Sequence, residues 1–113
     1  MENFLSKRLQ HIVMKVLIKV HEHYRKVVAV CDPELVGKKF EQGNLQLNVS
    51  EFFYQGQEYN EEKALKILEA ARQDDACFNF VGNNAIELGA KAGVISKNCI
   101  LRIQGVPHAL SLL

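Results

Sequence analysis

"MKVLIKVHEHYRKVVAVC" (residues 14–31) decides how the rest of the chain is read. Its first seven residues alternate Met14, Val16, Ile18 and Val20 with Lys15, Leu17 and Lys19, the period-two pattern of a half-buried strand. "VVAVC" (27–31) is short, apolar and β-branched, as a more fully buried strand requires. The polar HEHYRK between them reverses the chain. The two runs therefore predict a β-hairpin with a loop of about five residues.

Outward from the hairpin, Asp32-Pro33 reads as an N-cap with proline at the first helical position, which predicts a short helix over ELVGKKF (34–40). Gly43 breaks the chain, and LQLNV (45–49) alternates as a third strand. EFFYQGQEY (51–59) is an aromatic stretch turning around Gly56. Asn60 caps the strongest helix, 61–72. Glu61 and Glu62 lie at its positive dipole end, and Ala64, Ile67, Leu68 and Ala71 form one stripe. Asp74-Asp75 ends it. ACFNFVG (76–82) is a short apolar piece leading into a second helix, 84–92, which buries Ala85, Leu88 and Ala92 with Gly93 as its C′ residue. Alanine and glycine on that face imply close approach to a neighbour. CILRIQ (99–104) turns Cys99, Leu101 and Ile103 inward as the last strand. The predicted fold class is α+β: a small, mostly antiparallel sheet, the N-terminal hairpin plus at least two further strands, with two main helices on one face. One domain is expected over 14–113. Residues 1–13 precede it as an N-terminal extension, a short helix with Leu5, Leu9 and Ile12 on one face or a tail.

Composition agrees with a globular domain: of 113 residues, 48% are hydrophobic and 24% charged. Cys31, Cys77 and Cys99 are three, so they cannot all pair within the chain, and they form no C-x-x-C. Reduced, buried thiols in a cytosolic protein are expected. No apolar run approaches the roughly 18 residues of a membrane span, and MENFLSKRLQHIV lacks the apolar core of a signal peptide. A cytoplasmic protein without a membrane partner is expected. The net charge of +1 is uneven, because residues 1–39 carry eight Lys or Arg against four acids and the remainder six against nine.

Four motifs stand in order: AVCDPELVGKKF (29–40), LNVSEFFYQG (47–56), NFVGNNAIELG (79–89) and RIQGVPHA (102–109). Together they resemble an archaeal family of small proteins, the domain of unknown function four-two-four, over nearly the whole chain from Met14. The resemblance implies an archaeal cytoplasmic protein and carries over no activity. It marks Asp32, Gly37, Phe53, Tyr54, Gly56, Asn79, Gly82, Gly105, Pro107 and His108 as motif positions. The extension before Met14 departs from the pattern.

Each motif position has a structural and a functional reading. Gly105 permits a bend and Pro107 stops strand pairing, so the two aim the His108 imidazole at a definite place. His108 could be a general base or ligand-binding group. With no acid beside it in sequence, it is read first as a latch that fixes the chain end, with Ala109 to Leu113 packed on the sheet. The Asp32 carboxylate is assigned to capping its own helix. Asn79 with Gly82, Asn83 and Asn84 precedes a helix start, where free N–H groups and the dipole attract anions. The stretch lacks G-x-G-x-x-G and the P-loop lysine, so a glycine-led N-cap is preferred. Consecutive Phe52, Phe53 and Tyr54 leave at least one ring exposed or at an interface. His21 and His23 have no third ligand or H-x-x-x-H, so no metal site is expected, and no cofactor is implied.

Three functions are compatible with these residues. The first is a non-catalytic binding module for RNA or a ribonucleoprotein, on a surface of Lys15, Lys19, Tyr24, Arg25 and Lys26. The second is a small enzyme or anion-binding protein with a pocket of His108, Asn79, Gly82 and Asn83. The third is a structural subunit or homo-oligomer that buries the exposed aromatics.

Overall fold

The 14–31 stretch forms the predicted hairpin, β1 (Lys15–His21) and β2 (Val27–Cys31), joined in antiparallel register with Ile18 opposite Val30. The computed structural model describes residues 14–22 and 24–111. The expectations placed on residues 1–13, His23, Leu112 and Leu113 lie outside the described residues. Val16 and Ile18 are buried towards the helices as the alternation requires. Leu17, assigned to the polar side, is buried too, and Val20 at the strand end is exposed. Both faces of the central sheet are therefore covered.

The next elements are β3 (Lys39–Gln42), β4 (Leu45–Asn48), a single helical turn α1 (Glu51–Tyr54), β5 (Gln57–Asn60) and α2 (Glu61–Gln73). After them come β6 (Cys77–Val81), α3 (Asn83–Lys91), β7 (Leu101–Ile103) and β8 (Val106–Ser111). Six strands make one sheet in the order β5-β1-β2-β6-β8-β7, and β3–β4 form a separate hairpin. The fold is α+β. All neighbours in the main sheet are antiparallel except β2 and β6. That parallel pair is made possible by the long crossover through β3, β4, α1, β5 and α2.

Two cores sandwich the sheet. On one face Val16, Ile18, Val28, Val30, Phe78 and Phe80 pack under α2 and α3. On the other, Ala29, Cys31 and Val81 pack under Tyr54 and the β3–β4 hairpin through Leu47 and Val49. In α2, Asn60 caps through Oδ1 from the Lys63 N–H at 2.9 Å, and Ala64, Leu68 and Ala71 face the core. The expected close approach of α3 is real: a Cβ on Gly89 would stand 2.9 Å from the Phe80 ring.

Four sequence expectations are corrected. ELVGKKF is no helix: one 3-10 turn, Pro33–Leu35, leads into strand β3. The apolar piece at 76–82 is the central strand β6, in which Phe78 and Phe80 face the helices and Asn79, between them, faces the other layer with Val81. Of the residues turned inward at 99–104, only Ile103 is buried, and Cys99 and Leu101 are exposed. Pro107 does not end the sheet. Gln104 (φ 52°) and Gly105 (φ 81°) make a two-residue hairpin turn, and the chain returns as β8 between β6 and β7. Pro107 faces Arg102 where the antiparallel ladder needs no N–H from it. No helix among the described residues is long and apolar enough to cross a membrane.

Candidate functional site

The helix start at Gly82 carries an anion already: the chain's own Asp32. Its carboxylate, 3% exposed, accepts from the N–H of Asn84 at 3.1 Å and of Ala85 at 2.8 Å. It gives no side-chain cap to the turn directly after it in sequence. Gly82 makes the approach possible, because its φ of +108° is unfavourable for a side chain and a Cβ there would stand 2.3 Å from Asp32 Cγ. Burial pushes the Asp32 carboxyl above the ordinary carboxylate range, against the opposing pull of the Asn84, Ala85 and Asn83 amides. The free N–H groups expected to attract a ligand are thus engaged from within.

Asn79 and His108 do come together, on the sheet face opposite α2 and α3. Val81 pairs with His108 and Asn79 with Leu110, so strand alternation puts all four side chains on that face. Asn79 Oδ1 lies 2.7 Å from the Tyr54 hydroxyl and 3.1 Å from His108 Nε2. A carbonyl oxygen only accepts, so Tyr54 donates and His108 carries its proton on Nε2. Nδ1 is left as an acceptor with no partner among the described residues, and it is open to solvent, since no buried side-chain polar atom there goes unpaired. Burial lowers the imidazole pKa and so favours the neutral ring. Tyr54, buried on α1, has its hydroxyl raised above its ordinary range by burial and then by Cys31. His108 borders a recess of about 240 Å³ with Cys99, Leu101, Ala109 and Leu110. Leu101 and Leu110 are 45% and 57% exposed.

The four residues of the expected pocket are therefore divided. His108 and Asn79 share one face, Gly82 sits against Asp32, and Asn83 lines a separate cavity beside α3. Tyr54 is the site residue that sequence reasoning missed as a partner; its place in the LNVSEFFYQG motif was the available signal. The His108 ring bonds to the Asn79 side chain and not to the backbone expected of a latch, and the segment through Ser111 is held in the sheet as an inner strand.

The five residues of the expected nucleic-acid surface lie on β1 and on the turn that joins it to β2. Lys15 is exposed. The Lys19 ammonium donates to the Phe52 carbonyl and lies 5.0 Å from that ring's centroid. Tyr24 is fully exposed. Arg25 Nε donates to the Asp75 carbonyl at 3.0 Å, and Lys26 pairs with Asp74 at 3.3 Å. His21 stacks on Phe53 with centroids 4.5 Å apart. Among the described residues no group of three or more His, Cys, Asp or Glu side chains could hold a metal.

A family model described as Protein of unknown function (DUF424) matches residues 20–112. The chain belongs to this family. A solved structure, described as that of an uncharacterized conserved protein from Methanopyrus kandleri, is similar to it with 28% identity and a TM-score of 0.76. The likeness covers 85% of this chain and 89% of that one. No curated protein matches.

Proposed function

We propose that this member of the family is a non-catalytic binding module that seats a protruding group of a macromolecular partner in the recess at His108. The observation that supports this reading is the imidazole oriented by Asn79, with Nδ1 as a free acceptor beside exposed leucines. A recess of 240 Å³ is smaller than the roughly 300–1,000 Å³ of clefts that enclose whole small molecules. It suits one side chain or one base of something larger, and Leu101 and Leu110 offer apolar area for that partner to cover.

An RNA or ribonucleoprotein partner is favoured by Phe52. Its ring is 80% exposed with the Lys19 ammonium over it, a stacking surface beside a cation. Asp74 and Asp75 hold Lys26 and Arg25, so phosphate contacts are few in this reading. The experiment is capture from native lysate by tagged wild type and by Leu110→Asp, with RNA and protein both identified. Leu110 is exposed, so the variant keeps the fold. The leading partner of the wild type should be depleted at least about tenfold, the equivalent of 1.4 kcal/mol. Equal capture by both proteins overturns the proposal.

A further inference from the structure

Strand β7 lies at the end of the strand order, and its Arg102, paired with Pro107, is on the helix side of the sheet. Between α3 and this sheet edge is a cavity of about 680 Å³, on the face opposite His108. That volume lies within the roughly 300–1,000 Å³ typical of small-molecule sites. Ile86 and Ala90 of α3, Ile95 and Ile100 of the following loop, and Pro107 of β8 give it an apolar wall.

Its charges are not equivalent. Lys91 Nζ is held by Glu61 at 2.6 Å, and Glu87 adds a second negative charge near the same ammonium. Arg102 has no hydrogen-bond or ion-pair partner among the described residues. Its planar guanidinium is suited to bidentate contact with a carboxylate. An apolar wall with one unmatched arginine at its border fits a small molecule with an acid at one end and a hydrocarbon body.

We propose that this cavity binds a small apolar carboxylate, its acid on Arg102 and its body against Ile86, Ile95 and Ile100. The site is independent of the recess at His108. The test is a methyl-resolved NMR titration of the full chain with 4-phenylbutyrate and with its uncharged amide. The acid should shift the Ile86, Ile95 and Ile100 methyls and leave the Leu110 methyls in place. The amide, and the acid on Arg102→Gln, should each bind about tenfold more weakly, as loss of a charge-assisted contact implies. Arg102 is exposed, so that variant keeps the fold. Ala90→Phe, which fills the cavity, should abolish the shifts. Absence of isoleucine shifts at about 10 mM, ten times the concentration at which binding is worth only 4.1 kcal/mol, overturns the proposal. Equal binding of acid and amide, or undiminished binding by Arg102→Gln, also overturns it.

Discussion

Replacing Asp32 by alanine tests the contact that joins the two halves of the chain. The carboxylate reaches across 52 positions of sequence to accept the Asn84 N–H and, at 2.8 Å, the buried Ala85 N–H. Truncation leaves both donors of the first turn of α3 without an acceptor. An N-cap loss costs about 0.5–2 kcal/mol, and a buried donor left unpaired about 1–3 kcal/mol. The two figures overlap in what they count, so a loss of about 3 kcal/mol is expected. For a chain of this size, at roughly 4 °C per kcal/mol, the melting temperature should fall by about 12 °C. Asp32→Asn keeps one accepting oxygen but presents an NH₂ group to the second N–H, so about 1–2 kcal/mol should be lost. Far-UV circular dichroism melts at pH 7 measure both. A shift of under about 3 °C for Asp32→Ala would refute the capping role, because it is less than the loss of one hydrogen bond.

The same carboxyl fixes the sign of a pH effect. Burial raises its folded pKa above the reference value of 3.8, so between the two values the native state holds the proton and the unfolded chain has lost it. Stability from this group is therefore present below pH 3.8 and declines as pH rises through that window. The advantage of wild type over Asp32→Asn should narrow accordingly in urea titrations.

Gly82→Ala places a Cβ 2.3 Å from Asp32 Cγ at a φ of +108°, and about 3 kcal/mol or more should be lost. Combined with Asp32→Ala the loss should be less than additive, and strict additivity in urea denaturation would show that the two do not share a contact. Burial lowers the folded pKa of His108 below 6.5, so its stabilising contribution is complete above pH 6.5 and shrinks as pH falls towards the folded value. Wild type minus His108→Gln should show that decline, and ¹⁵N NMR should find the neutral ring protonated on Nε2; a proton on Nδ1 contradicts the Asn79 geometry. With iodoacetamide at pH 8, exposed Cys99 should be alkylated in the native protein. Cys31, buried and with its thiol pushed up to about 12 chiefly by burial, should react only after unfolding. Peptide mapping that finds equal native labelling at both would be incompatible with this packing.

How much of the fold was legible depended on how local its cause was. The β1–β2 hairpin and α2 were readable because alternation, the Asn60 cap and the stripe from Ala64 to Ala71 are contained in short windows. β6 is harder to read because only Asn79 is polar in CFNFV, so the alternation of Phe78 and Phe80 with Cys77 and Asn79 is short and faint. Asp32-Pro33 was misassigned because a cap is recognised in sequence by the residues immediately C-terminal to it, whereas this carboxylate serves a helix 52 positions away. Nothing local to residues 29–40 records that partnership.

The division of the candidate site has an equally simple cause. Along β6, Asn79 and Val81 have the same parity, and the register that pairs Val81 with His108 carries His108 to their face. The chain then leaves the strand at Gly82, whose positive φ turns it towards the opposite layer, and Asn83 begins α3 on that side. Residues 79 and 83 are only four positions apart and lie on different faces of one sheet. Four positions within a helix would have put them together; a strand end followed by a glycine turn separates them. The pocket expected from the sequence is therefore two places, a recess at His108 on one face and a cavity at Asn83 on the other.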